Sequence, residues 1–360
     1  MRKTCLLGCV WLMLASSVPN AWAQTGSQPR AASTQTPAPA PAPTYPTVRV
    51  GVLSYIQYDA ELKNRDGYNA FDLTRGYLNI TGDLTSRISY RITPDVRRIS
   101  DGSVAGSLVF RVKYAFAQLT GPAEGSWVRF GDHQTPWIDF EEHIQRYRVQ
   151  GLMFSEREGV VPGSGDFGIG YFTPLPSNYG EVQAGIYNGE GFSKGEANKH
   201  KSFQGRLTVR PFPTGGLAQG LRAHGFYDLG WYDRDQPRRH GIAMVSYEKP
   251  RIVATAQWLS ATERPLATMT RNAERRGYST FLEVRQGMTG WAGLARMERF
   301  DPDDAKADDH HRRVIAGAAY WMQPSRSILG VVLTIEDVRY GSAAGLRDEG
   351  RLLVQTHIEF

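Results

Sequence analysis

Basic side chains recur at every second position in several short segments of the chain. Between residues 107 and 120, Arg111 and Lys113 share one parity, while the even positions from Phe110 to Phe116 are apolar or aromatic. Arginine suits oxyanion binding because its guanidinium donates two parallel hydrogen bonds and keeps its charge. Several weak sites in a row favour conduction, since one deep site would trap the ion. A candidate anion-binding strip on three neighbouring segments comprises Arg87, Arg91, Arg111, Lys113 and Arg129.

The period of two in these segments predicts β-strands. Alternation puts apolar side chains on one face of a strand and polar side chains on the other. Most segments have about the 9–11 residues with which a strand crosses a bilayer at a tilt. The sixteen predicted strands are 48–60, 70–83, 86–97, 107–120, 127–135, 166–174, 180–188, 202–212, 220–232, 240–249, 251–261, 277–287, 290–300, 313–323, 327–338 and 350–360.

The gaps between the predicted strands alternate between long and short throughout the chain. Residues 84–85 and 288–289 are short gaps, whereas 189–201 and 262–276 are long ones. Up-and-down membrane barrels have tight turns at one rim and long loops at the other, and a closed sheet pairs every backbone group in lipid. We therefore predict an all-β fold, a transmembrane up-and-down antiparallel β-barrel of sixteen strands. Its apolar faces would contact lipid, and its polar faces would line an aqueous lumen.

The composition excludes other classes of protein. The mean hydropathy is −0.40, and no apolar run approaches the roughly 20 residues that a membrane-spanning helix needs. The formal net charge of +6 on 360 residues is too small to indicate a nucleic-acid-binding protein. A polar average is compatible with a membrane barrel, because only half of each strand faces lipid.

The N-terminal residues have the pattern of an export signal. Two basic residues follow the first Met, then comes a ten-residue apolar stretch, and the Ala-Trp-Ala motif at 21–23 suits cleavage. We predict a signal peptide over 1–23 and an Ala/Pro-rich periplasmic linker over 24–47. The barrel would then occupy 48–360, in the outer membrane of a Gram-negative-type bacterium.

The C-terminus and three internal segments carry a family resemblance. The chain ends in Phe360, with Leu, Val, Thr and Ile at alternate positions before it, and this ending resembles the signal that outer-membrane porins present to the barrel-assembly machinery. The segments 71–83 (FDLTRGYLNITGD), 128–137 (VRFGDHQTPW) and 187–189 (YNG) resemble the phosphate-selective porin O and P family. The resemblance implies a sixteen-stranded outer-membrane channel, usually a homotrimer, that passes anions. Phe360 is the candidate assembly signal.

The longest gap, 136–165, lies between the fifth and sixth predicted strands. In porins of sixteen strands this third external loop folds into the pore and narrows it. The segment carries five acidic residues and three arginines, so we expect an acidic loop opposite a basic wall, with a transverse field that filters solutes by size and dipole. The alternative is a loop that lies on the rim. The candidate constriction residues are Asp139, Glu141, Glu142, Arg146 and Arg148.

Strand parity places further cations in the lumen. Carboxylates on the same parity are fewer. If the cations stay unpaired the lumen prefers anions, whereas cations that pair with acids across the wall would leave a weakly selective pore. The strand that contains Arg75 has apolar residues at both odd and even positions. Parity therefore does not decide whether Arg75 points into the lumen or toward lipid. The further candidate lumen cations are Arg75, Arg206, Arg210 and Arg222.

Together these patterns predict a passive channel for small hydrophilic solutes with a preference for anions such as phosphate. We expect no catalytic residue, no cofactor and no metal site. The expected partners are outer-membrane lipid and lipopolysaccharide, the barrel-assembly machinery, further copies of the chain in a homotrimer and small anionic solutes, but not nucleic acid. A sugar-type or general diffusion porin is the alternative, and a barrel lipase is a remote one that would need an outward Ser–His pair.

Overall fold

The computed structural model describes residues 44–63, 67–99, 102–161, 163–196, 198–323 and 326–360. The predicted signal peptide, and the predicted linker up to residue 43, lie outside the described residues. Among the described residues, none of the helices combines the length and the hydrophobicity needed to cross a bilayer.

Strands dominate the described chain. All sixteen predicted strands are present, and their ends differ from the predicted ends by up to four residues. The strands are β1 (Arg49–Glu61), β2 (Asn69–Asp83), β3 (Ile88–Arg98), β4 (Leu108–Thr120), β5 (Trp127–Gln134), β6 (Gly165–Pro174), β7 (Gly180–Tyr187), β8 (Ser202–Val209), β9 (Leu221–Asp233), β10 (Gln236–Lys249), β11 (Ile252–Glu263), β12 (Ala273–Arg285), β13 (Gly290–Asp301), β14 (His311–Met322), β15 (Ile328–Tyr340) and β16 (Glu349–Glu359). The helices are α1 (Ile138–Ile144) and α2 (Phe154–Arg157), with 3₁₀ turns at Gly102–Val104, Arg148–Gln150, Pro176–Asn178, Ala218–Gly220 and Ser342–Ala344.

The strands form one closed antiparallel barrel. Each strand pairs with its neighbours in chain order, and β1 closes the sheet on β16, with Tyr55 opposite His357. Beyond β16, the Phe360 N–H donates to the Val52 carbonyl at 3.1 Å, and the Val52 N–H donates to the Phe360 carbonyl at 2.9 Å. The predicted barrel is confirmed.

The alternation of side chains follows the prediction on most strands and fails on β4. Residues 93 and 94 of β3 pair with Tyr114 and Val112, so Lys113 is an extra residue at a β-bulge. Beyond the bulge the parity reverses, and Tyr114 and Phe116 are buried on the inner side. The expectation that both share the outer face of Phe110 was wrong, because a bulge moves every later side chain to the other face.

The loop rhythm is broken at one pair of strands. Residues 234–235 are a two-residue connection between β9 and β10 at the rim of the long loops. Residues 210–220 are an eleven-residue connection between β8 and β9 at the rim of the short turns. The prediction of strict alternation was wrong here because the polar residues 236–239, interpreted as loop, pair with β9 and extend the hairpin.

The connection between β5 and β6, residues 135–164, folds into the barrel interior, and we call it the inner loop. Its aromatic side chains pack on one part of the wall. The ring centroid of Trp137 lies 5.7 Å from that of Phe226 on β9, and the Tyr147 centroid lies 5.7 Å from that of Trp321 on β14. Both inner-loop rings are fully buried. Most of the apolar core therefore lies between the inner loop and the wall from β9 to β15, and the core reaches Tyr55 on β1.

Candidate functional site

Two cavities lie beside the inner loop, one toward each rim. The short-turn cavity has a volume of about 630 Å³ and includes Met288 and Thr289 of the β12–β13 turn. The long-loop cavity has a volume of about 540 Å³ and includes Phe192 of the β7–β8 loop. Their shared lining residues, which we call the waist, are Tyr55, Arg75, Tyr77 and Arg148.

Arg75 on β2 points into the lumen at the waist, which answers the question that its strand left open. Its guanidinium carbon lies 4.9 Å from the ring centroid of Tyr77 and 5.3 Å from that of Tyr55. Its Nη1 donates to Oε2 of Glu142, on the inner loop, at 3.3 Å. The two rings and the carboxylate hold the cation in place between the two cavities.

Glu142 connects the wall to the inner loop through a chain of ion pairs. Arg148 donates from Nε to Oε1 of Glu142 at 2.6 Å, and its Nη2 lies 3.0 Å from Oε2 of Glu156. Burial acts to raise the pKa of Glu142, but Arg75 and Arg148 outweigh it and lower the pKa to about 2. The Glu142 carboxylate is therefore ionised at neutral pH, with a cation on either side.

Lys113 lies in the long-loop cavity among aromatic rings. Its Nζ lies 5.0 Å from the Tyr77 ring centroid, 4.9 Å from that of Phe192 and 5.5 Å from that of Tyr114. Within the described part of the chain, Lys113 forms no ion pair with a carboxylate. Its neighbour Arg111, by contrast, binds Asp95 on β3 with 2.9 Å between Nη2 and Oδ2.

Arg91 lies in the short-turn cavity and has neutral partners. It donates from Nε to the Thr93 hydroxyl and from Nη2 to the Asn79 amide oxygen, both at 2.9 Å. Its guanidinium carbon lies 4.8 Å from the ring centroid of Tyr114. Among the residues that the structure describes, no carboxylate pairs with Arg91.

The structure does not bring the whole predicted strip together. Arg87 lies exposed in the turn between β2 and β3, because β3 begins one residue later, at Ile88. Arg129 faces inward but lines a third cavity of about 330 Å³, where it donates to Gln118 at 2.8 Å. Arg91, Arg111 and Lys113 therefore lie along the two cavities that meet at the waist, and Arg87 and Arg129 lie elsewhere.

The later cations Arg206, Arg210 and Arg222 line the third cavity and pair with carboxylates. Arg206 lies 2.8 Å and Arg210 lies 3.6 Å from the carboxylate of Glu181. Arg222 lies 2.9 Å from the Glu248 carboxylate. Arg210 also lies just beyond β8, which ends three residues before the predicted end. These cations belong to paired groups away from the waist.

The inner loop does not present a uniformly acidic face. Glu141 points into the contact with the wall, where its carboxylate accepts hydrogen bonds from Trp137 Nε1 at 2.9 Å and from Gln257 Nε2 at 3.4 Å. Arg146 lies 2.6 Å from the Glu283 carboxylate on β12. Because the loop charges pair with wall charges on both sides, the arrangement differs from the predicted acidic loop opposite a basic wall. The predicted loop residues that do line the cavities are Asp139, Glu142, Arg146 and Arg148.

Sequence reasoning did not place Tyr77, Tyr114 and Phe192 in the site. Tyr77 shares the parity of Arg75 two residues away, so parity could have placed it in the lumen. Parity places Tyr114 on the outer face, because the bulge in β4 that turns it inward is not evident from the sequence. Phe192 lies in a loop, where no periodicity indicates which way a side chain points.

No family model matches the chain, and no curated protein sequence matches it. Solved structures do resemble it. The loop-L8 deletion mutant of OmpT, an outer membrane protein of Vibrio cholerae, superposes with a TM-score of 0.61 at 12% identity over 88% of this chain and 100% of that one. The anion-selective porin from Comamonas acidovorans gives 0.60 at 14% identity over 87% and 99% of the two chains. The trimer form of Vibrio cholerae OmpT gives 0.57 at 12% identity over 88% and 99%. The chain thus has the fold of the sixteen-stranded outer-membrane porins.

Proposed function

We propose that the protein is a passive diffusion channel in the outer membrane of a Gram-negative-type bacterium, with a preference for anions such as phosphate. The closed barrel supports a channel, since sixteen strands enclose a lumen that side chains alone do not fill. The two cavities that meet at the waist support a route along β1–β4, which in the short-turn cavity also passes Trp321 on β14 and His357 on β16. The proposal assigns no catalytic role to any residue.

The observation that carries the anion preference is the pair of cations on either side of the waist. Lys113 in the long-loop cavity and Arg91 in the short-turn cavity have no carboxylate partner among the described residues. The carboxylate of Glu142 at the waist is compensated by two arginines. An anion that moves from Lys113 past the waist to Arg91 meets a positive group at each stage and a deep trap at none.

The charge of the long-loop cavity also supports a preference for anions. Its described lining residues include six basic side chains against three acidic ones. A cavity that is lined mainly by charges of one sign concentrates ions of the opposite sign at its entrance. The basic residues are Arg75, Arg97, Arg98, Arg111, Lys113 and Arg148, and the acidic ones are Asp72, Asp95 and Glu156.

Phosphate as a solute and assembly as a homotrimer are further parts of the proposal. The resemblance of 71–83 and 128–137 to the phosphate-selective porin O and P family supports the first. The trimer form of the similar OmpT structure supports the second. In this setting lipid and lipopolysaccharide would surround the barrel, and Phe360 would be read by the barrel-assembly machinery.

Planar-bilayer recording tests the proposal. Purified protein is inserted from detergent, and the reversal potential is measured under a KCl gradient. We expect a potential of the sign that chloride permeation gives. A potential of the opposite sign, a potential near zero or an absence of channels would overturn the anion-preferring channel. Millimolar phosphate should reduce the chloride current, and an unchanged current would remove phosphate from the proposal.

A further inference from the structure

We propose that the short-turn cavity binds carboxylates that carry an aromatic ring, and that such organic anions are a preferred class of solute. This inference rests on the proposed channel function and concerns which anions the channel selects. It starts from the size of the cavity, since about 630 Å³ is in the range of roughly 300–1,000 Å³ that holds small organic ligands. An inorganic phosphate alone would leave most of this volume to water.

Several aromatic rings line this cavity. Tyr55 and His357 face each other across the β1–β16 pair with their ring centroids 4.9 Å apart. Trp321 on β14 meets His357 edge to face at 5.5 Å. Tyr77 and Tyr114 line the same cavity from β2 and β4. A planar ring gains offset-stacked or edge-to-face contacts against such walls that a saturated body of the same size does not.

Four arginines line this cavity, together with the carboxylates Asp139, Glu142 and Glu359. Two of them, Arg75 and Arg148, bind Glu142. Arg146 of the inner loop lies over Trp321, with 4.4 Å between its guanidinium carbon and the ring centroid, but it is bound to Glu283. Arg91 lies over Tyr114 and donates only to the neutral Thr93 and Asn79. Arg91 is therefore the anchor for the carboxylate, since binding a solute requires it to break no ion pair.

The other two cavities also hold a cation beside aromatic rings, but they are smaller. In the long-loop cavity, of about 540 Å³, Lys113 lies beside Tyr77 and Phe192. In the third cavity, of about 330 Å³, Arg129 lies over Trp127 and donates to Gln118. Of the three, the short-turn cavity combines the largest volume with an arginine that has no carboxylate partner among the described residues, so we expect selection by ring there.

Competition between solutes tests the inference. Chloride current is recorded in planar bilayers while benzoate, cyclohexanecarboxylate or acetate is added. Benzoate and cyclohexanecarboxylate have the same charge and nearly the same size, so their difference reports the ring contacts. We expect benzoate to reduce the current with an apparent Kd roughly three- to tenfold lower than that of cyclohexanecarboxylate, and acetate to act most weakly.

Variants locate the effect. Trp321→Leu should remove the advantage of benzoate, whereas the matched variant Trp291→Leu, which changes an outward ring on β13, should keep it. Because Trp321 also packs on Tyr147, Tyr114→Leu serves as a second ring variant should the first not fold. Arg91→Gln should weaken the effect of benzoate and cyclohexanecarboxylate alike.

The outcomes separate this inference from the channel itself. An anion-selective wild-type channel in which benzoate and cyclohexanecarboxylate act equally would overturn the inference and leave the proposed function standing. Equal loss of the benzoate advantage in Trp321→Leu and Trp291→Leu would overturn it as well. A wild-type channel that prefers cations, or that does not conduct, would instead refute the proposed function.

Discussion

Arg75 on β2 donates from Nη1 to Oε2 of Glu142 on the inner loop, 67 residues further along the chain, at 3.3 Å. This contact joins the β1–β4 side of the barrel to a loop whose other side is buried against the opposite wall. Glu142 also accepts from Arg148, so one carboxylate balances two cations at the waist. The charge of Glu142 therefore moderates the anion preference of the proposed channel.

Replacement of Glu142 by Gln is expected to raise the ratio of anion to cation permeability. The variant leaves Arg75 and Arg148 uncompensated by this carboxylate at the waist. A unit charge about 4 Å away contributes on the order of 1 kcal/mol in water, so the ratio should rise roughly fivefold. Reversal potentials under a KCl gradient measure it. Glu196→Gln is the control, because Glu196 pairs with Lys201 in the β7–β8 loop; an equal change in both variants would contradict the assignment.

The difference between the wild type and Glu142→Gln is expected to persist at pH 4. The pKa of Glu142 is lowered to about 2 from 4.5, so its ionised form stabilises the folded waist above pH 4.5, and this contribution is lost as the pH falls through about 2. The two proteins are compared at pH 7 and pH 4 by reversal potential. A carboxyl with an ordinary pKa of 4.5 would be mostly protonated at pH 4, and the difference in selectivity between the two proteins would then shrink to about a quarter of its value at pH 7.

Removal of either unpaired cation is expected to lower the anion preference. Arg91→Gln and Lys113→Gln act on opposite sides of the waist, but both cations lie against the Tyr114 ring. The double variant should therefore lose more anion preference than either single variant, by an amount that can differ from the sum of the two. Arg87→Gln removes the same charge from the exposed turn and serves as the control. A double variant as selective as the wild type would show that these cations do not set the preference.

Truncation of Trp137 is expected to loosen the inner loop. The fully buried ring packs on Phe226, and its Nε1 donates to Glu141. Trp137→Ala therefore leaves a cavity, and it removes one of the hydrogen-bond donors to the Glu141 carboxylate. The expected cost is about 3–5 kcal/mol. Thermal unfolding in detergent measures the loss, and noisier single-channel currents should accompany it. Trp258→Ala removes an outward ring that is 51% exposed. This control should change neither the thermal unfolding nor the noise of the single-channel current by a comparable amount.

Deletion of Phe360 is expected to impair barrel assembly more than Phe360→Ala, because the deletion removes the backbone pairing with Val52 as well as the side chain. The two hydrogen bonds between Phe360 and Val52 use backbone atoms only, and the side chain is 62% exposed. The heat-modifiable folded fraction in outer membranes measures assembly. Equal impairment by both changes would assign the effect to the side chain, as recognition by the assembly machinery predicts.

The sequence predicts the strands well because alternation is a local property. It does not predict features that depend on the partner strand: the bulge at Lys113 arises from its pairing with β3 and turns Tyr114 inward. It also does not predict which charges pair. Arg111 and Lys113 are equivalent by parity, yet one binds Asp95 and the other does not, since the outcome depends on a neighbouring strand and a distant loop.

The inner loop was the hardest part to predict from sequence. Its acidic and basic residues are evident in the sequence. The spacing of Trp137, Tyr147 and Phe154, however, matches neither the period of a strand nor that of a helix, so it does not indicate that these side chains are buried. Only the folded barrel brings Phe226, Phe281 and Phe300 to within reach of them. Glu141 and Glu142 are adjacent in sequence and fall on opposite sides of this contact.

The two-sided inner loop places the two unpaired cations apart from most of the apolar core. Its aromatic side packs on β9–β15, while Arg91 and Lys113 lie on β3 and β4; Tyr55 and Trp321 belong both to the core and to the cavity walls. Substitutions at Arg91 or Lys113 therefore leave the apolar core untouched. The solutes that the proposed channel admits can therefore be altered at these two cations without replacing a residue of the apolar core.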